Sequence, residues 1–205
     1  MPTPVKKNRS EQKRQSIIDA AKTTFKEFGV AATSMDKVAE IAQVSKRTVY
    51  NHFATKDDLV THLVSTLWME ALEKQTLVYD PALALAPQLK QLILDEVHFL
   101  TCQDNLDIAR MAVGYLFYNT GELHKEMARL KQFETALLRW IKAATADGKL
   151  NVTEPEFAND QVIHLIKGQC FWSQIIGNQP PLSADKCEQL AQETTKMFLS
   201  RYQVA

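Results

Sequence analysis

The chain has 205 residues, 45% hydrophobic and 23% charged, with 24 Lys+Arg balanced by 24 Asp+Glu. That composition suits a globular protein with a sizeable core and excludes a disordered or fibrous chain. Three widely spaced cysteines (Cys102, Cys170, Cys187) exclude a disulfide framework, and no apolar run approaches the ~18–20 residues that span a bilayer.

Only 6 Gly and 7 Pro leave room for few turns, so long helices are expected. Residues 1–9 read as a disordered basic arm. Ser10 is a plausible N-cap for a first helix carrying Ile18, Ala21, Phe25 and Phe28 at 3,4,3 spacing, closed by Gly29. Ser34 opens a second helix, with Asp36 in its first turn and Met35, Val38, Ala39 and Ala42 on its apolar side. Gln43-Val44 breaks it, and Ser45 caps a third helix to about Phe53. Thr55–Asp58 has the form of a capping box before a long fourth helix to about Gln75.

Pro81 and Pro87 bracket a loop, and Leu89 to Leu100 make a fifth helix. Asp104 or Asn105 caps a sixth. Residues 121–147 form a seventh helix ended by Asp147-Gly148, and residues 156–177 an eighth, ended by Gly177-Asn178. After Pro180-Pro181, Ser183 caps a ninth to about Tyr202. The fold class is therefore all-α, with about nine helices and no strand-period segment.

Charge is unevenly spread. Residues 1–60 carry 11 Lys+Arg against 7 Asp+Glu, a balance of +4; residues 61–205 carry 13 against 17, or −4. A basic first third suggests a polyanion partner for that third, with a solvated basic tail as the alternative. The second and third helices, joined by a short turn, make a helix-turn-helix. At about 100° per residue, Val49 and Phe53 share the core side of the third helix, while Arg47 and Asn51 lie about 160° from Val49. Thr48 and Tyr50 flank that ridge, with Lys46 and His52 nearer its edges. Arginine pairs with guanine O6 and N7, and asparagine with adenine N6 and N7, so the ridge suits a major groove. The shoulders, the second helix's start at Ser34 and the fourth helix's start at Lys56 would meet phosphates. The basic arm of residues 6–14 would add phosphate or minor-groove contacts.

These residues also carry a resemblance. The F-x-x-F-G of Phe25–Gly29, the T-S-M-x-x-V-A of Thr33–Ala39, the V-S-x-x-T-x-Y-x-H-F of Val44–Phe53 and the K-x-x-L of Lys56–Leu59 resemble the DNA-binding domain of the TetR/AcrR family of bacterial one-component regulators. The likeness covers residues 10–62. It implies a helix-turn-helix DNA-binding domain at 10–54, a ligand-binding and dimerisation domain at 55–205, and a dimer on a palindromic double-stranded operator. It places phosphate contacts on Ser34, Thr48, Tyr50, His52 and Lys56, and base contacts on Lys46, Arg47 and Asn51. One departure is Gln43, where the family usually has Gly. The C-terminal stretches 171–183 and 197–202 are loosely similar to AefR-like members.

The last two helices are apolar on two sides, so a second copy of the chain is expected on one of them, at Ile163, Cys170, Leu190, Thr194, Met197 and Phe198. The ninth helix's Cys187 and Ala191 belong to the same broad apolar surface. Candidate pocket residues for a small apolar or aromatic inducer are Trp68, Phe99, Met111, Tyr115, Tyr118 and Trp172, each of which also reads as ordinary core. No nucleophile–base constellation, metal spacing or cofactor loop is found, so the chain is expected to be no enzyme and to need no cofactor. The basic start lacks an apolar stretch, so no signal peptide and a cytoplasmic location are expected. Repressor is the leading reading; an activator of the same fold, or a helical small-molecule carrier with a vestigial helix-turn-helix, stays open. Oxidant sensing by Cys102 or Cys170 is a minor alternative.

Overall fold

The computed structural model describes residues 8–74, 76–118, 121–130, 132–177 and 179–204, without the side chains of residues 74, 116–118 and 122. The described residues are helical, with one isolated bridge between Leu150 and Gln203. They form two compact units: residues 1–67 with 107–130, and residues 68–106 with 131–205. Helices cross from one unit to the other, so compactness divides the chain differently from the division by role expected at residue 54.

The first unit holds α1 (Arg9–Ala32), α2 (Met35–Ile41), α3 (Lys46–His52), most of α4 (Lys56–Lys74), much of α6 (Gln103–Tyr118) and α7 (Glu122–Leu130). Its core joins Ile17, Ala21 and Phe25 of α1 to Val38, Val49, Phe53, Leu59 and Leu63. Asn8, not Ser10, caps α1: its side chain accepts from Ser10 N, and Glu11 completes a capping box. At Gly29, φ is +77°, a conformation that only glycine adopts without strain; the chain breaks there and makes one further turn to Ala32. The break leaves Phe28 exposed instead of in the core.

The second unit holds α5 (Leu85–Thr101), α8 (Ala136–Ala146), α9 (Pro155–Lys167), a π-helical turn (Gly168–Trp172), the short α10 (Ser173–Ile175) and α11 (Ala184–Tyr202). α5 and α11 lie along one another over a core that includes Ile93, Val97, Trp140, Ile141, Val162, Ile166 and Phe198. The buried Gln88 ties the approach to α5: its Oε1 accepts from Asp80 N and Trp140 Nε1, and its Nε2 donates to the carbonyls of Asp80, Leu83 and Ala84. A buried amide that saturated is a local keystone.

Several boundaries differ from expectation. Pro87 lies inside the first turn of α5, where its missing N–H has no intrahelical partner to lose. α6 starts at Gln103 behind Cys102, whose carbonyl accepts from Leu106 N, while the Asn105 side chain turns back to Phe99 O. The single helix expected over 121–147 is two, because Thr135 caps α8 by accepting from Leu138 N. Gly148 then closes α8 at a φ of +72°.

Candidate nucleic-acid interface

The turn between α2 and α3 is built by caps. Ser34 accepts from Lys37 N at 3.1 Å, and Ser45 accepts from Thr48 N at 3.1 Å. Between them Gln43 takes a φ of +54°, a left-handed conformation at the position where the resemblance leads one to look for Gly. A side chain there costs about 1–2 kcal/mol, which the surrounding caps and core tolerate.

α3 then presents the expected faces. Val49 and Phe53 are buried against the first unit's core, while Arg47, Tyr50 and Asn51 are exposed; Tyr50 keeps 50% of its surface in solvent. Thr48 and His52 are half-buried on the flanks. The Thr48 hydroxyl sits 2.8 Å from Ser45 Oγ, so it is drawn back toward the cap. Lys46 is exposed and ion-paired to Asp36 of α2 at 2.5 Å, which raises its pKa above the ordinary lysine value. Ser34 is exposed at the start of α2.

Lys56 is placed otherwise. Its ammonium donates to Val30 O at 2.6 Å, Thr33 O at 3.0 Å and Ala31 O at 3.3 Å, the carbonyls where α1 turns toward α2. All three of its hydrogens have backbone acceptors. The start of α4 is also less open to phosphate than its sequence suggests. Thr55 N donates to Asp58 Oδ2 and Asp58 N to Thr55 Oγ1, and Asp57 and Asp58 already place negative charge at the helix's positive end. Asp57 also accepts a hydrogen bond from the Tyr115 hydroxyl of α6.

The basic arm divides in the same way. Lys6 and Lys7 lie outside the described residues, whereas residues 9–14 are the first turns of α1 rather than an arm. Arg14 stacks over the Phe53 ring at 5.0 Å and sets its guanidinium 3.2 and 3.4 Å from the two ring nitrogens of His62. His62 in turn lies against Phe53, with ring centres 5.4 Å apart. Burial, and then the charges of Arg14 and Lys22, lower the His62 pKa below its ordinary value. Arg14 thus buttresses the end of α3. Arg14 shares one side of a helix with Ile17, Ile18 and Ala21, but nothing in the sequence names Phe53 and His62 as the groups it meets there.

The expected pocket residues fall in both units. Met111 and Tyr115 pack partly buried against the first core, and burial together with Asp57 pushes the Tyr115 hydroxyl up to about 12. Trp68 and Phe99 belong to the second unit, Phe99 packed against its core. Trp68 is half-buried, and its Nε1 has no hydrogen-bond partner among the described residues. Trp172 is 43% exposed, and Tyr118 lies outside the described side chains.

Of the residues expected at a dimer contact, Met197 is exposed and Ile163 and Leu190 are half-buried. Cys170, Thr194 and Phe198 are buried within the single chain. α9 with its π-helical extension is indeed apolar on two sides, but the members sort differently. Ala158, Val162, Ile166 and Cys170 face inward, while Leu165, Trp172 and Ile176 face solvent. Beside them a groove of about 530 Å³ runs between α9 and α11, floored by Val162 and Phe198 and rimmed by Leu165, Met197, Arg201 and Tyr202. Cys102 is exposed, whereas Cys170 and Cys187 are buried, and burial pushes the Cys170 thiol up to about 12, away from a reactive thiolate.

Comparison with known proteins bears on both parts of the chain. Residues 17–63 match the family described as bacterial regulatory proteins, tetR family, and residues 87–204 match the AefR-like transcriptional repressor, C-terminal domain. A crystal structure of a TetR family transcriptional regulator from Pseudomonas syringae pv. tomato str. DC3000 is 34% identical, covers 95% of this chain and 98% of its own, and superposes with a TM-score of 0.81. The HTH-type transcriptional regulator YhgD of Bacillus subtilis is 29% identical over 147 residues, 68% of this chain and 70% of that protein. The HTH-type transcriptional regulator RutR of Escherichia coli K12 is 25% identical over 152 residues, 70% of this chain and 67% of that protein.

Proposed function

Because the chain belongs to the TetR family, whose members are transcriptional regulators rather than enzymes, we propose that it is a ligand-responsive repressor. In this reading it binds a palindromic operator as a dimer and leaves it when a small apolar or aromatic molecule binds. The observation that carries the reading is the outward ridge of α3, with Arg47 and Asn51 free in solvent on a helix fixed from behind by Val49 and Phe53. Those two side chains read guanine and adenine edges, with Lys46 beside them. Tyr50 and His52 stand at the phosphate rims, with Thr48 and Ser34 on the same surface.

A second copy covers the apolar strip of Leu165, Trp172, Ile176 and Met197, so that two α3 helices stand one helical turn of DNA apart. The inducer acts by favouring a different spacing, which withdraws population from the DNA-competent state. Its site lies in the 55–205 portion, and the lack of a charged cluster among the candidate pocket side chains supports an uncharged ligand. Among the described residues no helix is long and apolar enough to cross a membrane, which fits action on DNA in the cytoplasm.

The test is selection of duplexes from a random library by the purified protein, repeated at two salt concentrations. Recovery of a palindrome is the expected result. Weak binding that ignores sequence would instead favour a carrier whose helix-turn-helix is vestigial, and reporter transcription from the recovered operator separates repressor from activator.

A further inference from the structure

The reading face is not simply basic. α2 supplies it with two carboxylates, and each is taken up by a lysine: Asp36 holds Lys46 at 2.5 Å, and Glu40 holds Lys37 at 3.1 Å. Arg47 carries no ion pair among the described residues. In the free protein, then, one cation at the front of the helix-turn-helix is open and two are occupied.

The Asp36–Lys46 pair does little for the fold. Both side chains are largely exposed, 51% and 68%, and exposed pairs of this kind contribute little to stability. Its position is what matters. Asp36 sits in the first turn of α2 and Lys46 in the first turn of α3, so the pair bridges the two helices at the residue next in sequence to the exposed Arg47. The Asp36 carboxylate is the strongest cause of the raised Lys46 pKa, so the ammonium remains a cation whose nearest counter-charge belongs to the protein.

We propose that Asp36 is a specificity-determining residue, which restrains binding to DNA of arbitrary sequence by occupying Lys46 until a correct site offers a better acceptor. The proposal rests on the DNA-binding reading above. Binding to any duplex draws its free energy from cations that neutralise phosphates and release counterions. A lysine already neutralised by Asp36 contributes nothing to that term, and the carboxylate itself is repelled by the phosphates. On arbitrary DNA the exchange of Asp36 for a phosphate therefore gains little. On a matching sequence Arg47 and Asn51 hold the helix in register, so Lys46 exchanges Asp36 for an acceptor fixed in place. The acidic residue thus lowers the background more than the signal, which is how discrimination is raised by an unfavourable contact to the wrong partner.

The experiment compares wild type with Asp36→Asn, binding a selected operator and a random duplex between 50 and 200 mM salt. Asparagine keeps the side chain's size at this exposed position and removes the charge, and circular dichroism checks that the helices persist. The expected result is tighter binding of the random duplex and a log–log salt slope steeper by about 0.9, which is about 3.5-fold of extra gain across that fourfold dilution of salt. Operator affinity rises less, so the ratio of operator to random binding falls. In a Lys46→Met background the Asp36→Asn change in slope should largely vanish, because the occupied cation is gone.

An unchanged random-duplex affinity and slope would overturn the proposal. So would a slope change that persists in full without Lys46, or an operator affinity that falls while random binding stays constant, the mark of a base contact by Asp36 itself. The random-duplex arm needs no operator. A wild type that selects no palindrome would remove the functional reading, and that result is separate from any of these.

Discussion

Lys56 is expected to hold the reading domain together rather than to bind DNA, and Lys56→Met tests this. Methionine keeps the length and apolar stem but removes the ammonium. The change deletes three charge-assisted hydrogen bonds, to Val30, Ala31 and Thr33 carbonyls. A bond to a charged group is worth about 1.5–3 kcal/mol when sheltered. Here the bonds are partly or wholly exposed, so water recovers much of that, and about 2 kcal/mol is a reasonable total. For a chain of this size that corresponds to a fall in Tm of about 4–8 °C, read by thermal unfolding.

Binding separates the two roles of the lysine. A lost phosphate contact flattens the salt slope by about 0.9, whereas a lost clamp loosens the elbow between α1 and α2 and leaves the slope nearly as it was. Lys56→Arg sharpens the comparison. A guanidinium keeps the charge and any phosphate contact, but its rigid planar fork does not match three converging carbonyls. An unchanged Tm in Lys56→Met with a slope reduced by about 0.9, together with full rescue by arginine, would refute the clamp and restore Lys56 to the phosphate contacts.

Arg47→Ala should relax base choice at one position of each half-site, at a cost of about 1–3 kcal/mol in discrimination, measured by competition between operator variants; equal losses on operator and random DNA would assign Arg47 to the phosphates. His62 has a folded-state pKa below its ordinary value, so it favours the neutral form in the folded chain. Its contribution to stability is present above about pH 6.5 and is lost as the pH falls through the folded-state value. Thermal unfolding should therefore show a loss below pH 6.5 that is smaller in His62→Gln, and identical pH profiles would contradict it. Ile176→Glu together with Trp172→Ala should yield a folded monomer by sedimentation velocity, because both side chains are exposed in the single chain; a persistent dimer would place the interface elsewhere.

The reading domain was legible because its signals are local. Ser34, Ser45 and the Thr55–Asp58 box are caps that act within three residues, and Gln43 marks a turn whose backbone conformation its neighbours dictate. The Lys56 carbonyl clamp and the Arg14–Phe53–His62 stack were not legible, because each joins residues tens of positions apart. A lysine at a helix start and an arginine in a basic run look alike from the sequence whether they face phosphate or protein.

The helical half shows a different limit, that of periodicity itself. Leu123, Met127 and Leu130 continue in phase into Leu137, Ile141 and Ala144, so the apolar rhythm runs through a break that separates two compact units. Only the Thr135 cap betrays it. In α9 the inward residues fall at every fourth position, from Ala158 through Val162, Ile166 and Cys170 to Gln174. An α-helix advances 3.6 residues per turn and would rotate such a row steadily off the core. The wider π turn at Gly168–Trp172 takes up that rotation, keeping Cys170 and Gln174 inside while Trp172 and Ile176 come out. A wheel drawn at constant pitch therefore assigns Cys170 to the outer face and blends the two stripes. The exposed strip that results carries a Trp, a Leu and an Ile that each keep 42% or more of their surface in solvent, too concentrated to be scattered surface hydrophobicity. It follows that the outward face of α9, rather than the inward residues first grouped with it, is where a test of the proposed dimer should begin.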